Sequence, residues 1–166
     1  MQAFLPTAKM IQRIQSVFLL LLALCMLSML ALPLWHKADA LTHQELTLTA
    51  FNFTAVGLAL PTVPVPVWVV AGLALVVAAV AVYEIFQFRR RFSQLKLGLM
   101  NVLLITATFG TEFYLSNHGE AFLNPKLEGQ NQPAFYLPLL ALALNLLASR
   151  FIRRDEQLVR SADRLR

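Results

Sequence analysis

Long apolar runs separated by short polar segments set the pattern of this chain. Four runs stand out. Val17 to Trp35 carries no charge, and Val67 to Phe88 is interrupted only by Glu84 near its end. Leu97 to Leu115 is the most polar, and Ala134 to Ile152 closes the series. Each approaches the roughly 20 apolar residues with which a helix crosses a bilayer core of about 30 Å. In lipid the backbone must satisfy its own hydrogen bonds, which leaves helices and closed barrels. A barrel needs alternating segments of about ten residues, and these runs are longer and apolar on every face. The pattern predicts an all-α membrane protein, a four-transmembrane-helix antiparallel bundle forming one membrane domain over residues 1–166.

The connections fill in the rest. The first outer loop, residues 36–66, contains Gln44-Glu45-Leu46-Thr47-Leu48-Thr49, whose alternation reads as a short strand. Phe51-Asn52-Phe53-Thr54 continues the β-prone composition. A turn near Asn52 would fold the stretch into a short β-hairpin, its register open. Pro61, Pro64 and Pro66 impose an extended approach to the second span. The second outer loop, residues 116–133, holds Asn117, Gly119, Asn124-Pro125 and Gly129 and reads as loop with turns. Together these loops form a small extracytoplasmic cap. The inner loop, residues 89–96, is short, so the second and third spans are antiparallel neighbours.

Charge sets the direction. All basic residues but Lys37 and Lys126 lie before the first span, between the second and third, or at and beyond the end of the fourth. By the positive-inside rule those ends, and both termini, face the cytoplasm. Trp35, Trp68, Tyr114 and Tyr136 fall at the outer ends, where aromatic rings favour the headgroup layer. Composition agrees: 58% of residues are hydrophobic and 14% charged, against about 25% charged in soluble domains. The net charge of +5 is explained by topology, so nucleic acid is not expected as a partner. The start of the chain resembles a signal peptide ending at Ala38-Asp39-Ala40, but the apolar run exceeds a typical h-region of about 7–15 residues. An uncleaved anchor is expected, with Met1 or Met10 as the native start.

Polar residues inside the spans are the candidates for function, because intramembrane polar groups usually face a bundle interior or cavity. Asn101, Thr108 and Glu112 share one helical face, with Thr111 beside it. Asn145 and Ser149 share another. Glu84, Asn101 and Asn145 all fall toward the cytoplasmic half, where they are placed to meet. Glu84, Asn101, Thr108, Glu112 and Asn145 therefore form a candidate intramembrane polar cluster. Interhelical hydrogen bonding, with Asn as glue, accounts for the same residues and is the preferred reading. Glu112 lies near the outer interface, within reach of water, and Glu84 has Arg89 or Arg90 as available partners. His36, His43 and His118 are all external and match no zinc spacing. Cys25 reads as a small apolar filler. Neither a metal nor a cofactor is called for, no catalytic constellation is found, and an intramembrane enzyme ranks last.

Residues 153–166 form a basic tail. Leu158, Ala162 and Leu165 recur at helical spacing, and Glu156 to Arg160 is a favourable pair. This predicts a cytoplasmic amphipathic helix that lies on the anionic leaflet or docks on a protein.

Met10-Ile11-Gln12-Arg13-Ile14-Gln15-Ser16-Val17 and Arg154-Asp155-Glu156-Gln157-Leu158-Val159-Arg160-Ser161-Ala162-Asp163-Arg164-Leu165-Arg166 resemble the opening and closing motifs of a known family. It comprises membrane proteins of Bacteroidetes-type bacteria catalogued as domain of unknown function 4293. The resemblance covers Met10 to Arg166 and implies an inner-membrane location and four helices. It brings no established activity, so no catalytic residue carries over. Its motifs sit at the cytoplasmic ends and draw attention to Gln12, Arg13, Gln15, Arg154, Asp155, Glu156, Arg160, Asp163 and Arg164 as docking residues. The leading expectation is a non-enzymatic scaffold, assembly factor or accessory subunit, with the lipid bilayer and a membrane or cytoplasmic protein as partners. The alternative is a small oligomeric transporter or lipid-handling protein using the polar face of the third span.

Overall fold

Four long helices and a small sheet make up the computed structural model. It describes residues 5–87, 91–124 and 126–164, with side chains outside the description at 5–13, 91, 155–156 and 158–164. The helices are α1 (Leu5–Ser28), α2 (Trp68–Phe86), α3 (Arg91–Phe122) and α4 (Leu137–Arg164). They pack in cyclic order, α1 on α2, α2 on α3, α3 on α4, and α4 back on α1.

Each helix buries a stripe with alternating steps of four and three residues. On α1 it is Gln15, Leu19, Leu22 and Met26, continued by Met29 just past its end; on α2, Val70, Ala74, Val77, Ala81 and Glu84. On α3 it is Gln94, Gly98, Asn101, Ile105, Thr108, Glu112 and Leu115; on α4, Ala141, Asn145, Ala148 and Ile152. This 3.5-residue period is the one that keeps a seam facing its neighbours in coiled-coil-like packing. The stripes are rich in alanine and polar residues, whereas Leu20, Leu24, Leu99, Leu103, Leu146 and Leu147 point outward. Small and polar inside with large and apolar outside is the arrangement that lipid selects. Leucine gains nothing by leaving hydrocarbon, while small residues let backbones approach.

Among the described residues, three helical segments are long and apolar enough to cross a membrane: Trp68–Phe86, Phe92–Phe122 and Pro133–Arg154. The apolar part of α1 within the described side chains, Ile14–Ser28, is shorter. The expected first run to Trp35 is not one element. Helix gives way after Ser28 to a turn closed by Leu27–Leu30 and Ser28–Ala31 hydrogen bonds. Pro33, which lacks an N–H and disfavours helix at the preceding residue, follows that turn. The whole of α1, at 24 residues, is about 36 Å long.

The remaining chain forms the cap. Strands β1 (Trp35–Asp39), β2 (Gln44–Leu48), β3 (Phe53–Val56) and β4 (Gln130–Asn131) make an antiparallel sheet in the order β3-β2-β1-β4. The expected hairpin is β2–β3, with Leu48 opposite Phe53. Its turn is closed by Thr49 N–H to Asn52 O at 2.9 Å and by the Thr49 hydroxyl, which accepts from Asn52 N–H at 3.1 Å. Strand β1 was not foreseen, because Trp35 to Asp39 alternates only by burying Lys37 and Asp39 beside Trp35. Two other elements run further than the sequence suggests. Helix α3 takes in residues 116–122 of the expected outer loop and 91–96 of the inner one. Helix α4 runs unbroken from its span into the tail.

The cap is fixed to the C-terminal end of α3. Lys37 is buried and donates from Nζ to the Glu120 carbonyl at 2.9 Å and to Oε1 at 2.7 Å. Glu120 also accepts the Gly129 N–H. Trp35 lies flat enough against the chain that a Cβ at Gly129 would collide with its indole, and one at Gly119 would lie 3.0 Å from the same ring.

Candidate functional site

Most polar residues predicted for the spans are buried in the ring of helices: Glu84, Asn101, Thr108, Glu112 and Asn145 have no exposed surface. Gln15 and Gln94 join them. The sequence reading had missed Gln94, placing it in a loop, although it falls one heptad before Asn101. Glu112 corrects the expectation of a carboxylate near water. Helix α3 continues to Phe122 beneath the cap, so Glu112 lies well inside the packed stripe.

These residues divide by how their polar atoms are satisfied. Thr108 Oγ1 donates to Leu104 O at 2.8 Å within its own helix. Asn145 Nδ2 donates to Gly98 O at 2.8 Å, which ties α4 to α3. Gln94 Nε2 donates to Glu84 O at 3.0 Å, which ties α3 to α2. The Asn145 bond is the interhelical glue that the sequence suggests, and the Gln94 bond adds a second tie of the same kind. The rest are not. Both carboxylate oxygens of Glu84 and Glu112, both amide atoms of Asn101, Asn145 Oδ1, Gln94 Oε1 and Gln15 Oε1 are buried with no hydrogen-bond partner among the described residues. Native interiors leave few such groups. Their concentration on one set of facing stripes is the main chemical feature of the molecule.

Glu84 and Asn145 do converge, at Gly98. Apart from Gly98, its chain neighbours and the adjoining α3 backbone, the heavy atoms nearest the point where a Cβ on Gly98 would sit are Ser149 Oγ at 2.9 Å, Glu84 Oε1 at 3.5 Å and Asn145 Oδ1 at 4.0 Å. Asn101 occupies the next position on the same stripe, three residues on. Glu112 stands further along it, toward the cap, and is separate. Arg89 and Arg90, named as partners for Glu84, lie outside the described residues.

The second candidate region is the basic end. Phe18 of α1 stacks on Phe151 of α4 with centroids 5.6 Å apart. Beyond, Leu146, Ser149, Arg150, Arg153, Arg154 and Gln157 line an open groove of about 520 Å³. Of the proposed docking residues, Arg154 is exposed in this groove, and Gln15 is buried and so not free to dock. The side chains of Gln12, Arg13, Asp155, Glu156, Arg160, Asp163 and Arg164 lie outside the described residues.

The histidines do not gather. His36 lies 3.9 Å from Glu45 across β1 and β2, and His118 is 3.3 Å from Thr62 O. His43 sits in the β1–β2 turn with φ 51°. Among the described residues no three His, Cys, Asp or Glu side chains are placed to share a metal ion.

A family model described as a domain of unknown function, DUF4293, matches residues 11–165. The chain belongs to the DUF4293 family. The match reaches from the start of the Ile11-Gln12-Arg13 motif to the end of the tail, so it takes in both the buried polar stripes and the basic groove. No functionally curated protein matches this DUF4293 chain.

Proposed function

We propose that this DUF4293 protein crosses the bacterial cytoplasmic membrane four times, with both ends in the cytoplasm. It works there as a non-enzymatic scaffold, assembly factor or accessory subunit that engages a protein partner through its basic end. The observation that carries this reading is α4. It continues as one unbroken helix to Arg164, twelve residues past Ile152. That arm is about 18 Å long, and its base exposes Arg150, Arg153 and Arg154. A rigid basic helix continuous with a membrane span transmits position, which suits docking better than a loose tail. The orientation draws support from the opposite end, where Lys37 is buried against Glu120 and adds no free charge. The test is copurification from gently solubilised membranes, comparing the full chain with one ending at Ile152. Proteins recovered only with the full chain support docking through the arm; an identical set with both removes it.

A second reading is favoured by the unpartnered polar atoms along α3. An oligomeric carrier would use Asn101 and Glu112 to replace a solute's hydration shell. Solute flux that survives both Asn101→Leu and Glu112→Leu in folded protein would eliminate it.

A further inference from the structure

The β2–β3 turn is where the cap comes down onto the helices. Strand β1 starts at Trp35, whose indole lies against Gly119 of α3. It ends at Asp39, which accepts from Asn124 beyond the end of that helix. It therefore runs away from the helices, and antiparallel β2 returns, with Gln44 at the far end and Leu48 at the near one. The turn that follows meets α2 directly. Ala50 is fully buried, and its carbonyl accepts the Ala71 N–H at 3.1 Å. Ala71 lies three residues past the start of α2 at Trp68, so the turn is level with a point about 4–5 Å inside that helix.

At this depth the turn presents one large apolar side chain. Phe51 is 52% exposed, although Ala50 and Phe53 on either side are buried. Trp68, in the first turn of α2, is exposed as well. The polar groups around Phe51 are spent within the turn. Thr49 N–H donates to Asn52 O, the N–H groups of Phe51 and Asn52 donate to Thr49 Oγ1, and the Thr49 hydroxyl donates back to Asn52. Non-helical backbone close to hydrocarbon needs its polar groups satisfied in this way. No charged residue occurs from Leu46 to Tyr83, so nothing in the turn or its approach to α2 opposes contact with lipid.

We propose that the turn from Thr49 to Asn52 is a membrane-inserting tip, with Phe51 among the upper acyl chains of the leaflet on the capped side. Burial there removes the exposed ring from water. The contact is apolar, so it does not select headgroup charge. It gives the cap a second attachment, beside the Lys37–Glu120 pair that ties it to α3. The proposal rests on α2 crossing the bilayer, and neither on the direction of crossing nor on docking through the basic end.

The full chain reconstituted in phosphatidylcholine vesicles tests this. In a Cys25→Ser background, Phe51→Cys, Leu41→Cys and Leu75→Cys each carry an environment-sensitive fluorophore. Leu75 is exposed on α2 and reports the span itself, and Leu41, in the β1–β2 turn, reports the far end of the cap. With nitroxide-labelled acyl chains in the vesicles, the Phe51 and Leu75 probes should lose most of their emission and the Leu41 probe should keep it. Replacing part of the phosphatidylcholine by phosphatidylglycerol should leave this pattern unchanged. Quenching at Leu75 without quenching at Phe51 overturns the tip and leaves the crossing of α2 intact; quenching at neither overturns both. Equal quenching at Phe51 and Leu41 overturns the tip too, because the whole cap would then lie on the membrane. Quenching at Phe51 that needs phosphatidylglycerol assigns the contact to headgroup charge and overturns apolar insertion. A label that itself seeks lipid is controlled by Phe51→Trp in a Trp68→Phe background. Brominated acyl chains should quench it more than Trp68→Phe alone, where the buried Trp35 is the remaining tryptophan; equal quenching counts against the tip.

Discussion

Lys37 Nζ lies 2.7 Å from Glu120 Oε1, with the lysine side chain wholly buried and the glutamate partly exposed. The pair bridges β1 to the C-terminal end of α3, and Glu120 accepts the Gly129 N–H as well. Removing the glutamate strands a buried ammonium, whereas removing both charges does not. Glu120→Ala should therefore destabilise the cap by about 2–3 kcal/mol. Lys37→Met combined with Glu120→Ala should recover most of the loss. Chemical unfolding of the two variants and the parent in micelles measures the difference, and a double variant as unstable as the single one would contradict it.

The indole of Trp35 supplies a local reporter for the same region. It is 2% exposed, against 62% for Trp68. Gly129→Ala places a methyl group where the Trp35 ring lies, and the ring must leave its slot. In a Trp68→Phe background the emission maximum is expected to shift to longer wavelength, and acrylamide quenching to increase. Unchanged emission would mean that the β4 segment yields instead of the ring.

Asp39 gives the cap a pH dependence with a definite sign. Its carboxylate accepts from Asn124 Nδ2 at 3.2 Å and from Leu41 N–H at 2.9 Å. The Asn124 bond first, and the Leu41 bond second, hold its pKa below the usual aspartate range. A depressed folded-state pKa contributes stability above the unfolded value, roughly 3.9, and that contribution is lost as pH falls toward the folded value. The cap should loosen on acidification below about pH 4, with Trp35 emission following it. Asp39→Asn should flatten that acid limb and leave stability at neutral pH lower than in the parent.

The fold was legible where lipid dictates it. Apolar length alone located α2, and the alternation at Gln44 to Leu48 located β2. The hairpin turn followed from Asn52. The seams were not legible, because runs that are apolar on every face have no moment to read. Here the polar and small residues mark the inside, so Asn101, Thr108 and Glu112 were found as a face while the alanines of α2 were passed over. Strand β1 escaped because its buried positions include Lys37 and Asp39, whose satisfaction depends on Glu120 and Asn124, more than 80 residues away. The convergence of Glu84 and Asn145 on Gly98 was half visible. Their depth was readable from the span directions, but the close approach at Gly98 was not, since glycine leaves no pattern.

Asn101 separates structural glue from functional cost. Both of its side-chain amide atoms are buried and unpartnered, unlike those of Asn145, whose Nδ2 bonds across helices. Replacing an unsatisfied buried polar group by an apolar one of similar shape relieves its desolvation. Asn101→Leu should thus stabilise the protein by about 1–2 kcal/mol, while Asn145→Leu should destabilise it. Unfolding of both variants in the same detergent decides the matter. A loss of stability in Asn101→Leu would show that Asn101 acts as glue after all.

The orientation rests on charge asymmetry and is open to direct labelling. Cys25 is the only cysteine in the chain, so Cys25→Ser gives a background in which single cysteines report one position each. Leu41, which is 92% exposed, and Glu128 lie at the capped end, whereas Lys96 and Gln157 are exposed at the basic end. With both termini cytoplasmic, Leu41→Cys and Glu128→Cys should react with a membrane-impermeant maleimide in spheroplasts. Lys96→Cys and Gln157→Cys should react only after the membrane is opened. Inversion of that pattern would reverse the orientation and set the basic groove outside. The first crossing is read by a cysteine ahead of α1: Gln2→Cys should stay protected in spheroplasts as Lys96→Cys does, and its reaction from the outside together with Leu41→Cys would mean that α1, the shortest apolar segment in its described part, does not span. The labelling therefore tests the number of crossings as well as their direction, because each of the four helices separates one pair of successive labelled positions, and a helix that fails to cross leaves its pair on the same side.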